Sequence, residues 1–536
     1  MAAWTIARLL VVSADFLASK GSSSARLDAE LLLAEVLGLE RIRLYTEFDR
    51  PLTDEEVDAY RELVARRAHR EPVAYILGRA HFRYLTLEVT PDVLIPRPET
   101  EELVDAVLAW LRERPLLLPE PAAGPRIADV GTGSGAIAFS LAQEGQVRVL
   151  ATDASSAALQ VAERNRDALG LGDLVDLRET DLLVGVDPGS LRVVVSNPPY
   201  VSAFEYQSLD PGVRDFEPPL SLRGGHDGLE CYRRLMPQAA AALGPGGAVF
   251  VEVGDTQASA VTELARAAGF VLMRTTEDLS GKERIVRAVR PGALRMRADD
   301  LDAAGTATLA RALAAGAILG VPTDTVYGIA AAWNSPAGVR RLFAAKGRDE
   351  ERPTAVLFPS VASVWAALPD LDPRTAQVLA ALLPGPYTFV VGTAVERPHL
   401  VGTYDSLGVR VPDHPLLLAL LAALGTPLAA SSANPSGGYD AATVDDVDPL
   451  LLAHCIAAVD FGGSSGVGAA PGERAAPFLG APSTVAPSTV AASTVVDLRP
   501  LRVGEQAVVL REGVVPSVVV MELIAAVGRG GPICYS

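Results

Sequence analysis

The segment Asp129-Val130-Gly131-Thr132-Gly133-Ser134-Gly135 decides the fold of the first half of the chain, because it ends one apolar run and opens the helical segment 136–143. Alternating glycines let the backbone turn without Cβ strain and approach a ligand closely. No lysine follows them, so a P-loop is not expected. The next apolar run ends at Asp153, whose carboxylate could bind a ribose diol. The pattern predicts an α/β domain and leaves two interpretations open, a nucleoside-binding turn or only a tight strand-to-helix turn.

A second motif, Ser196-Asn197-Pro198-Pro199-Tyr200, follows the apolar run 191–195. Two successive prolines remove two backbone donors and fix φ, so neighbouring carbonyl groups are left to accept hydrogen bonds. The Asn197 amide oxygen and a proline carbonyl could accept both hydrogens of a flat amino group, while Tyr200 stacks on its plane. A side-chain amide, adenine N6 and cytosine N4 all fit. With a methyl sulfonium nearby, catalysis would rest on orientation and electrostatics.

The 536 residues predict about three domains at roughly 100–200 residues per domain. Helical periodicity marks the N-terminal part, where Thr53 and Glu56 form a capping-box pattern. Short apolar runs that alternate with helical segments then predict a multidomain α/β chain, whose first sheet is largely parallel. The expected parts are a helical domain at 1–78, a Rossmann-like domain at 79–290, a linker at 291–303, a second α/β domain at 304–515 and a tail at 516–536.

Charge and composition limit the function classes. The chain carries 47 basic and 65 acidic residues, a formal net charge of −18, and both halves are acidic. An overall basic surface for nucleic acid is therefore absent, which disfavours direct DNA binding. Three widely spaced cysteines predict no disulfide framework or cysteine-rich metal site. The longest apolar runs are far shorter than the ~20 residues of a membrane span, and no signal peptide is expected. We expect a cytoplasmic protein that does not contact membranes.

At these motifs the first half, about 1–290, resembles the HemK/PrmC family of class I methyltransferases, which use S-adenosylmethionine to modify a glutamine amide in peptide chain release factors. The resemblance also rests on 71–78 (EPVAYILG), 94–101 (LIPRPETE) and 216–218 (FEP). The second of these segments separates the family from DNA amino-methyltransferases.

The resemblance implies that the N-terminal helices dock a class I release factor. It implies that Asn197, Pro198, Pro199 and Tyr200 hold the substrate glutamine. It further implies that S-adenosylmethionine is contacted by Gly131, Thr132, Gly133, Ser134, Gly135, Asp153, Asp181, Leu182 and Asn197. Arg97 and Glu99 are expected either to form a surface pair or to have a structural role near the substrate cleft.

In the second half, basic residues concentrate between Arg340 and Arg352, which predicts a local anion site in an acidic domain. Lys346-Gly347-Arg348 places a glycine between two cations, as expected of a loop that turns both toward a phosphate or carboxylate. Small hydroxyl and amide residues follow apolar runs at 323–325 and 431–437. Such side chains predict a polar pocket lined by cations.

The order of these segments resembles the YrdC family of threonylcarbamoyl-AMP synthases over about 300–515. The resemblance implies that threonine, bicarbonate and ATP are joined with loss of pyrophosphate, and that Mg²⁺ offsets the charge of the phosphates. The product would then pass to tRNA threonylcarbamoyl transferase proteins. Lys346, Arg348, Ser432 and Asn434 are implied as catalytic and substrate-binding residues. Further substrate contacts are implied for Thr323, Ser406, Arg410, Ser493 and Arg511.

Two features depart from the YrdC pattern. The acidic triplet at 349–351 stands where the family usually has proline, and Ser-Thr-Val occurs three times between 483 and 495. We assign the ATP contact to the copy at Ser493, because that copy alone runs into Val496-Asp497-Leu498.

The sequence thus favours a bifunctional translation enzyme. Two rivals stay open: a nucleic acid adenine N6-methyltransferase, and a YrdC-like module that binds RNA or nucleotide without catalysis.

Overall fold

The computed structural model describes residues 4–114, 126–278, 280–347, 354–393, 406–434, 440–460 and 492–528. The chain divides into two compact units, the first built mainly from residues up to 288 and the second mainly from residue 289 onward. Across these described ranges, no helix is both long and apolar enough to cross a membrane.

The first unit begins with a helical bundle that fills the region predicted to be helical. Leu10, Leu32 and Tyr60 are fully buried in its core. Thr53 and Glu56 form the predicted capping box at the start of the fourth helix, which confirms that prediction. Among residues 4–78 the helices, α1 to α5, are Ile6–Ser19, Ala25–Leu37, Arg43–Thr46, Asp54–Ala68 and Val73–Leu77.

A short antiparallel hairpin, β1 Arg79–Phe82 and β2 Leu85–Glu88, leads into the α/β part of the first unit. The described strands there form a seven-stranded sheet in the order β5-β4-β3-β6-β7-β9-β8. They are β3 Ile127–Val130, β4 Val149–Asp153, β5 Val175–Glu179, β6 Leu191–Ser196, β7 Leu243–Glu252, β8 Val271–Glu277 and β9 Glu283–Val289. The helices are α6 Pro98–Arg112, α7 Ala136–Gly145, α8 Ser156–Ala168, α9 Ala203–Ser208, α10 Pro211–Arg214, α11 Pro219–Leu222, α12 Glu230–Ala242 and α13 Ala258–Ala267.

The central strands of this sheet are parallel. Strand β3 pairs in parallel with β4 and β6, and β6 pairs in parallel with β7. Their residues are almost continuously apolar and buried, as expected of strands covered on both faces. The carboxyl ends of β3, β4, β6 and β7 therefore meet at one edge of the sheet, where ligands of open α/β sheets bind.

The second unit contains a ten-stranded mixed sheet in the order β10-β17-β11-β12-β16-β13-β15-β14-β18-β19, counted over the described residues. These strands are β10 Leu294–Arg297, β11 Ile318–Val321, β12 Gly328–Ala332, β13 Ala355–Leu357, β14 Tyr387–Gly392, β15 Ser406–Arg410, β16 Leu428–Ser432, β17 Ala457–Asp460, β18 Thr494–Asp497 and β19 Val508–Arg511. The helices are α14 Ala303–Ala314, α15 Pro336–Lys346, α16 Val361–Ala367, α17 Pro373–Leu382, α18 Pro415–Leu424, α19 Pro449–Leu452 and α20 Ser517–Gly528.

Alternate residues of the second sheet contribute to two separate apolar clusters. Ile329 and Ala331 of β12 belong to one cluster, and Ala330 and Ala332 belong to the other. Since successive side chains of a strand point to opposite faces, the sheet is covered on both faces.

Two segments have more structure than the sequence predicted. The expected linker 291–303 includes β10, which pairs in parallel with β17, and its Leu294 and Met296 pack against an apolar cluster. The expected tail includes α20, which buries Val520 and Ile524. Strand β10 has only four residues and α20 is apolar along most of its length, so neither has a clear hydrophobic periodicity. The Gly- and Pro-rich stretch 461–491 lies outside the described residues.

Candidate functional site

A cavity of about 350 Å³ lies at the carboxyl ends of the central strands of the first sheet. Seven of the residues predicted from the sequence line it: Gly131, Gly133, Asp153, Asp181, Leu182, Asn197 and Pro199. Of the remaining predicted residues, Thr132, Ser134, Pro198 and Tyr200 are next to a wall residue in sequence, and Gly135 follows Ser134. The structure therefore brings the glycine-rich turn, the acidic strand end and the Asn-Pro-Pro-Tyr motif to one cavity.

The glycine-rich turn requires glycine for two different reasons. Gly131, Gly133 and Gly135 have φ values of 75°, 55° and 89°, a left-handed region that strains other residues. A Cβ at Gly133 would meet nothing within 4 Å, whereas one at Gly135 would lie 1.9 Å from Cε2 of Phe139. The turn thus needs glycine for its backbone conformation and, at Gly135, also for close packing of α7.

Asp153 is held with its carboxylate at the cavity wall. Its Oδ2 accepts the backbone N–H of Gly133 at 2.9 Å, and its Oδ1 accepts that of Ser155 at 2.9 Å. Burial raises the pKa of Asp153, and these backbone hydrogen bonds oppose the rise. Each oxygen retains capacity for a further hydrogen bond, so the oriented carboxylate can accept two hydroxyl groups of a ribose.

A second carboxyl group, that of Asp129, holds the glycine-rich turn by hydrogen bonds. It is fully buried, and its Oδ2 accepts the Thr132 hydroxyl at 2.7 Å and the Ala138 N–H at 3.1 Å. Burial raises the pKa of Asp129 to about 7. Asp129 thereby joins the turn to the start of α7, a role that was not predicted from the sequence.

The Asn-Pro-Pro-Tyr motif is fixed by residues distant in sequence. The Asn197 Nδ2 donates to the Thr100 hydroxyl at 3.0 Å, so the amide oxygen faces away from Thr100 and can accept a hydrogen bond from a substrate. The Tyr200 carbonyl accepts the Gln257 Nε2 at 2.9 Å. Burial raises the pKa of Tyr200 to about 12, so its ring carries a neutral hydroxyl near neutral pH.

Behind Asn197, the Thr100 hydroxyl donates to Oε2 of Glu252 at 2.6 Å. Sequence reasoning missed both residues as parts of the site. Thr100 lies within the quoted segment 94–101. Glu252 is a carboxylate that ends an apolar strand, and this placement is a signal of the kind that identified Asp153. The pairing itself spans 152 positions and has no local signal.

The other segments that carried the first resemblance meet beside this cavity. Arg97 donates to Glu217 at 2.5 Å, and Glu217 is almost completely buried. Tyr75 donates to the carbonyl of Val93 at 2.6 Å, and Val93 lines the cavity. Arg97 therefore pairs with Glu217 of the Phe-Glu-Pro segment rather than with Glu99, which favours the structural role near the cleft.

A separate cavity of about 300 Å³ lies within the second unit. Its wall includes five of the predicted residues: Thr323, Arg410, Ser432, Ser493 and Arg511. Arg410 donates to Asp324 and, at 2.8 Å, to the Thr325 hydroxyl. The Ser493 hydroxyl is 2.8 Å from the Thr388 hydroxyl, and Arg511 donates to the Ser493 carbonyl at 3.1 Å. The wall thus combines small hydroxyl groups with two guanidinium groups.

Lys346 differs from the expected loop cation. It is the last residue of α15, and Gly347, with φ 58°, caps the carboxyl end of that helix. The Lys346 side chain is buried, since the residue is only 6% exposed. Its Nζ donates to the Ser432 carbonyl at 2.8 Å and to the Asn434 Oδ1 at 3.0 Å, and also to the Asn434 carbonyl. Since Ser432 Oγ donates to the same Oδ1 at 2.7 Å, Lys346, Ser432 and Asn434 form one cluster, of which Ser432 lines the cavity.

The remaining predicted residues are distributed as follows. Ser406 is buried at the start of β15, four positions before Arg410, and is not part of the cavity wall. Arg348 and the acidic triplet lie outside the described residues, as do the first two Ser-Thr-Val copies. Within the described part of the chain, no cluster of three or more His, Cys, Asp or Glu side chains could hold a metal ion.

Family models match three parts of the chain. Residues 8–78 match the PrmC N-terminal domain, and residues 116–209 match the methyltransferase small domain. Residues 311–469 match the model of Sua5, YciO and YrdC proteins, described as telomere recombination. These matches confirm both resemblances seen in the sequence and the predicted three-part α/β organisation.

Individual proteins resemble the two halves separately. The release factor glutamine methyltransferase of Rhodopirellula baltica is 41% identical over 290 residues, which are 53% of this chain and 95% of the relative. That of Geobacter sulfurreducens is 41% identical over 284 residues, 53% of this chain and 96% of the relative. A P. abyssi Sua5 structure with L-threonine is 24% identical, with a TM-score of 0.35 over 43% of this chain and 60% of that chain, a similarity too low to bear on function.

Proposed function

Because the first half of this chain belongs to the family of release factor glutamine methyltransferases, we propose that it methylates the side-chain amide nitrogen of a glutamine in class I peptide chain release factors. The observation that carries the proposal is the orientation of Asn197. Its amide nitrogen is engaged by Thr100 at 3.0 Å, and its oxygen is left to accept a hydrogen from a substrate NH₂ group at the cavity wall.

The cavity suits S-adenosylmethionine, which supplies a methyl group on a sulfonium when bound. Asp153 would accept the ribose hydroxyls, and the glycine-rich turn allows close approach of the backbone. Asn197 and the Pro198 carbonyl would accept the two amide hydrogens of the glutamine. The neutral Tyr200 ring would pack on the amide plane. Catalysis by these residues is orientation of the nitrogen and electrostatic stabilisation.

The test is transfer of labelled methyl to a purified release factor, with duplex DNA as the competing substrate. We expect Asn197→Ala to lower the methylation rate ~10²–10³-fold, the usual effect of removing one transition-state hydrogen-bonding group. S-adenosylmethionine binding, measured by calorimetry, should change little, because Asp153 and the glycine-rich turn are untouched. Methylation of DNA but not of release factor would favour the rival adenine methyltransferase.

For the second half, we propose synthesis of threonylcarbamoyl-AMP from threonine, bicarbonate and ATP. The family-model match over residues 311–469 supports this activity, and the hydroxyl-lined cavity with Arg410 and Arg511 suits a phosphate-bearing substrate. Of the residues that the structure describes, those that line the cavity include no acidic side chain, and Mg²⁺ would enter with the ATP phosphates. The product would serve tRNA threonylcarbamoyl transferase proteins, and both reactions would take place in the cytoplasm.

Pyrophosphate release tests this second activity. It should require ATP, threonine and bicarbonate together, and omission of any one should abolish it. Release that needs no threonine, or binding of nucleotide without release, would favour the non-catalytic module.

A further inference from the structure

Two buried hydrogen bonds connect the amide group of Asn197 to the carboxylate of Glu252 through the Thr100 hydroxyl. Thr100 of α6 is 4% exposed and Glu252, the last residue of β7, is 1% exposed. These hydrogen bonds run from Asn197 Nδ2 to the Thr100 hydroxyl at 3.0 Å, and from that hydroxyl to Glu252 Oε2 at 2.6 Å. Because β6 and β7 are parallel and Ser196 is in register with Val251, Glu252 lies beside the start of the Asn-Pro-Pro-Tyr motif.

The direction of these hydrogen bonds follows from the chemistry of Glu252. An ionised carboxylate has acceptors only, so the Thr100 hydroxyl must donate its single proton to Glu252. The Thr100 oxygen can then only accept from Asn197, and the amide group of Asn197 must turn its NH₂ toward Thr100. The ionised Glu252 thereby fixes which end of the Asn197 amide is available to the substrate.

We propose that Thr100 and Glu252 are positioning residues for methyl transfer, which orient the Asn197 amide so that its oxygen accepts from the substrate glutamine. This inference rests on the proposed methyltransferase activity. A protonated Glu252 can donate to Thr100, and the freed Thr100 hydroxyl can then donate to Asn197 Oδ1 in the opposite amide orientation. Asn197 would then present N–H donors to the N–H groups of the glutamine, and the amide could not be held.

Burial, hydrogen bonds and neighbouring charges together set the protonation of Glu252. Burial raises the pKa of Glu252 to about 7; Arg284 and side-chain hydrogen bonds from Thr100 and Tyr200 oppose the rise, and the charge of Glu99 adds to it. Tyr232 donates to the Glu252 carbonyl at 2.7 Å and stays neutral, since burial raises its pKa well above the usual range. Methyl transfer should therefore decline as pH falls through about 7.

The first experiment compares Thr100→Val, which keeps the shape but removes the hydroxyl, with Thr100→Ser, which keeps the hydroxyl. For Thr100→Val, kcat for release factor methylation should fall about tenfold, the effect of one lost hydrogen bond. The S-adenosylmethionine Kd should stay within about twofold, and Thr100→Ser should remain near the parent. Equal kcat values for the two variants would overturn the proposal.

The second experiment measures kcat against pH from 6 to 8 for the parent and for Glu252→Gln, with thermal unfolding as the check on folding. The parent should lose activity below about pH 7, and Glu252→Gln should have a lower, pH-independent kcat. An acidic limb that persists in Glu252→Gln would assign it to another group, such as Asp129, and would overturn the role of Glu252. Absence of methylation by the parent enzyme would instead contradict the proposed function.

Discussion

Lys346 offers the sharpest test of the second site, because its ammonium group is surrounded by oxygens of the segment that holds Ser432. We expect Lys346→Ala to lower pyrophosphate release strongly. The substitution removes the donor from three oxygens of Ser432 and Asn434. An unsatisfied buried acceptor costs about 1–3 kcal/mol. If roughly 3 kcal/mol of this cost raises the activation free energy, because Ser432 and Asn434 are misplaced, the rate is ~10²-fold lower.

Lys346→Arg separates charge from shape. The three acceptor oxygens surround a single nitrogen, the Lys346 Nζ. A guanidinium is planar and holds its N–H donors on several nitrogens in a fixed, forked geometry, so it cannot reach the same three oxygens from one point. We therefore expect Lys346→Arg to lose at least ~10-fold in rate although the charge is kept.

The assay is pyrophosphate release at saturating threonine and bicarbonate, with release factor methylation measured on the same samples as a check on the preparation. Arg340→Ala is the matched control, since Arg340 is exposed on the same helix, and it should act like the parent. Parental activity in Lys346→Ala would refute the assignment of this cluster to the site. Parental activity in Lys346→Arg would refute only the argument from shape.

The remaining predictions concern the glycine-rich turn of the first cavity. Gly135→Ala should lower the free energy of unfolding by about 2 kcal/mol or more in chemical denaturation, because its Cβ meets the Phe139 ring and its φ is strained; Gly133→Ala, with strain alone, should cost about 1 kcal/mol, and equal costs would contradict the packing argument. Asp129→Asn should flatten the dependence of stability on pH: the pKa of Asp129 is raised to about 7 on folding, so its protonated form stabilises the parent at low pH, and that stability is lost as pH rises through about 7. An unchanged slope of the melting temperature between pH 5 and 8 would contradict this role.

The sequence predicted which residues lie together where those residues adjoin strand ends, and it did not predict partners that are distant along the chain. Asp153 ends the parallel strand β4 and Asn197 directly follows the parallel strand β6, so sheet geometry alone brings them together with the glycine-rich turn. Lys346 was predicted to turn toward a ligand with Arg348, but Gly347 ends α15 and the ammonium group contacts residues 432 and 434. The identity of those acceptors depends on tertiary contacts across 86 and 88 positions, which no local pattern contains.

The two sites have one feature in common that their sequence motifs do not contain. In each, the amide group of a motif residue is hydrogen-bonded to a partner far along the chain: Asn197 to Thr100, and Asn434 to Lys346, although Ser432 and Asp440 also contact the Asn434 amide. An amide can present either a donor or an acceptor, and only its partner decides which. Substitution of the partner should therefore lower kcat more than it weakens ligand binding. The ligand still contacts the motif residue, but the amide group of that residue is then a mixture of two orientations. For Thr100→Val in particular, a loss confined to KM for the release factor, with kcat unchanged, would show that the amide orientation does not govern the methyl-transfer step.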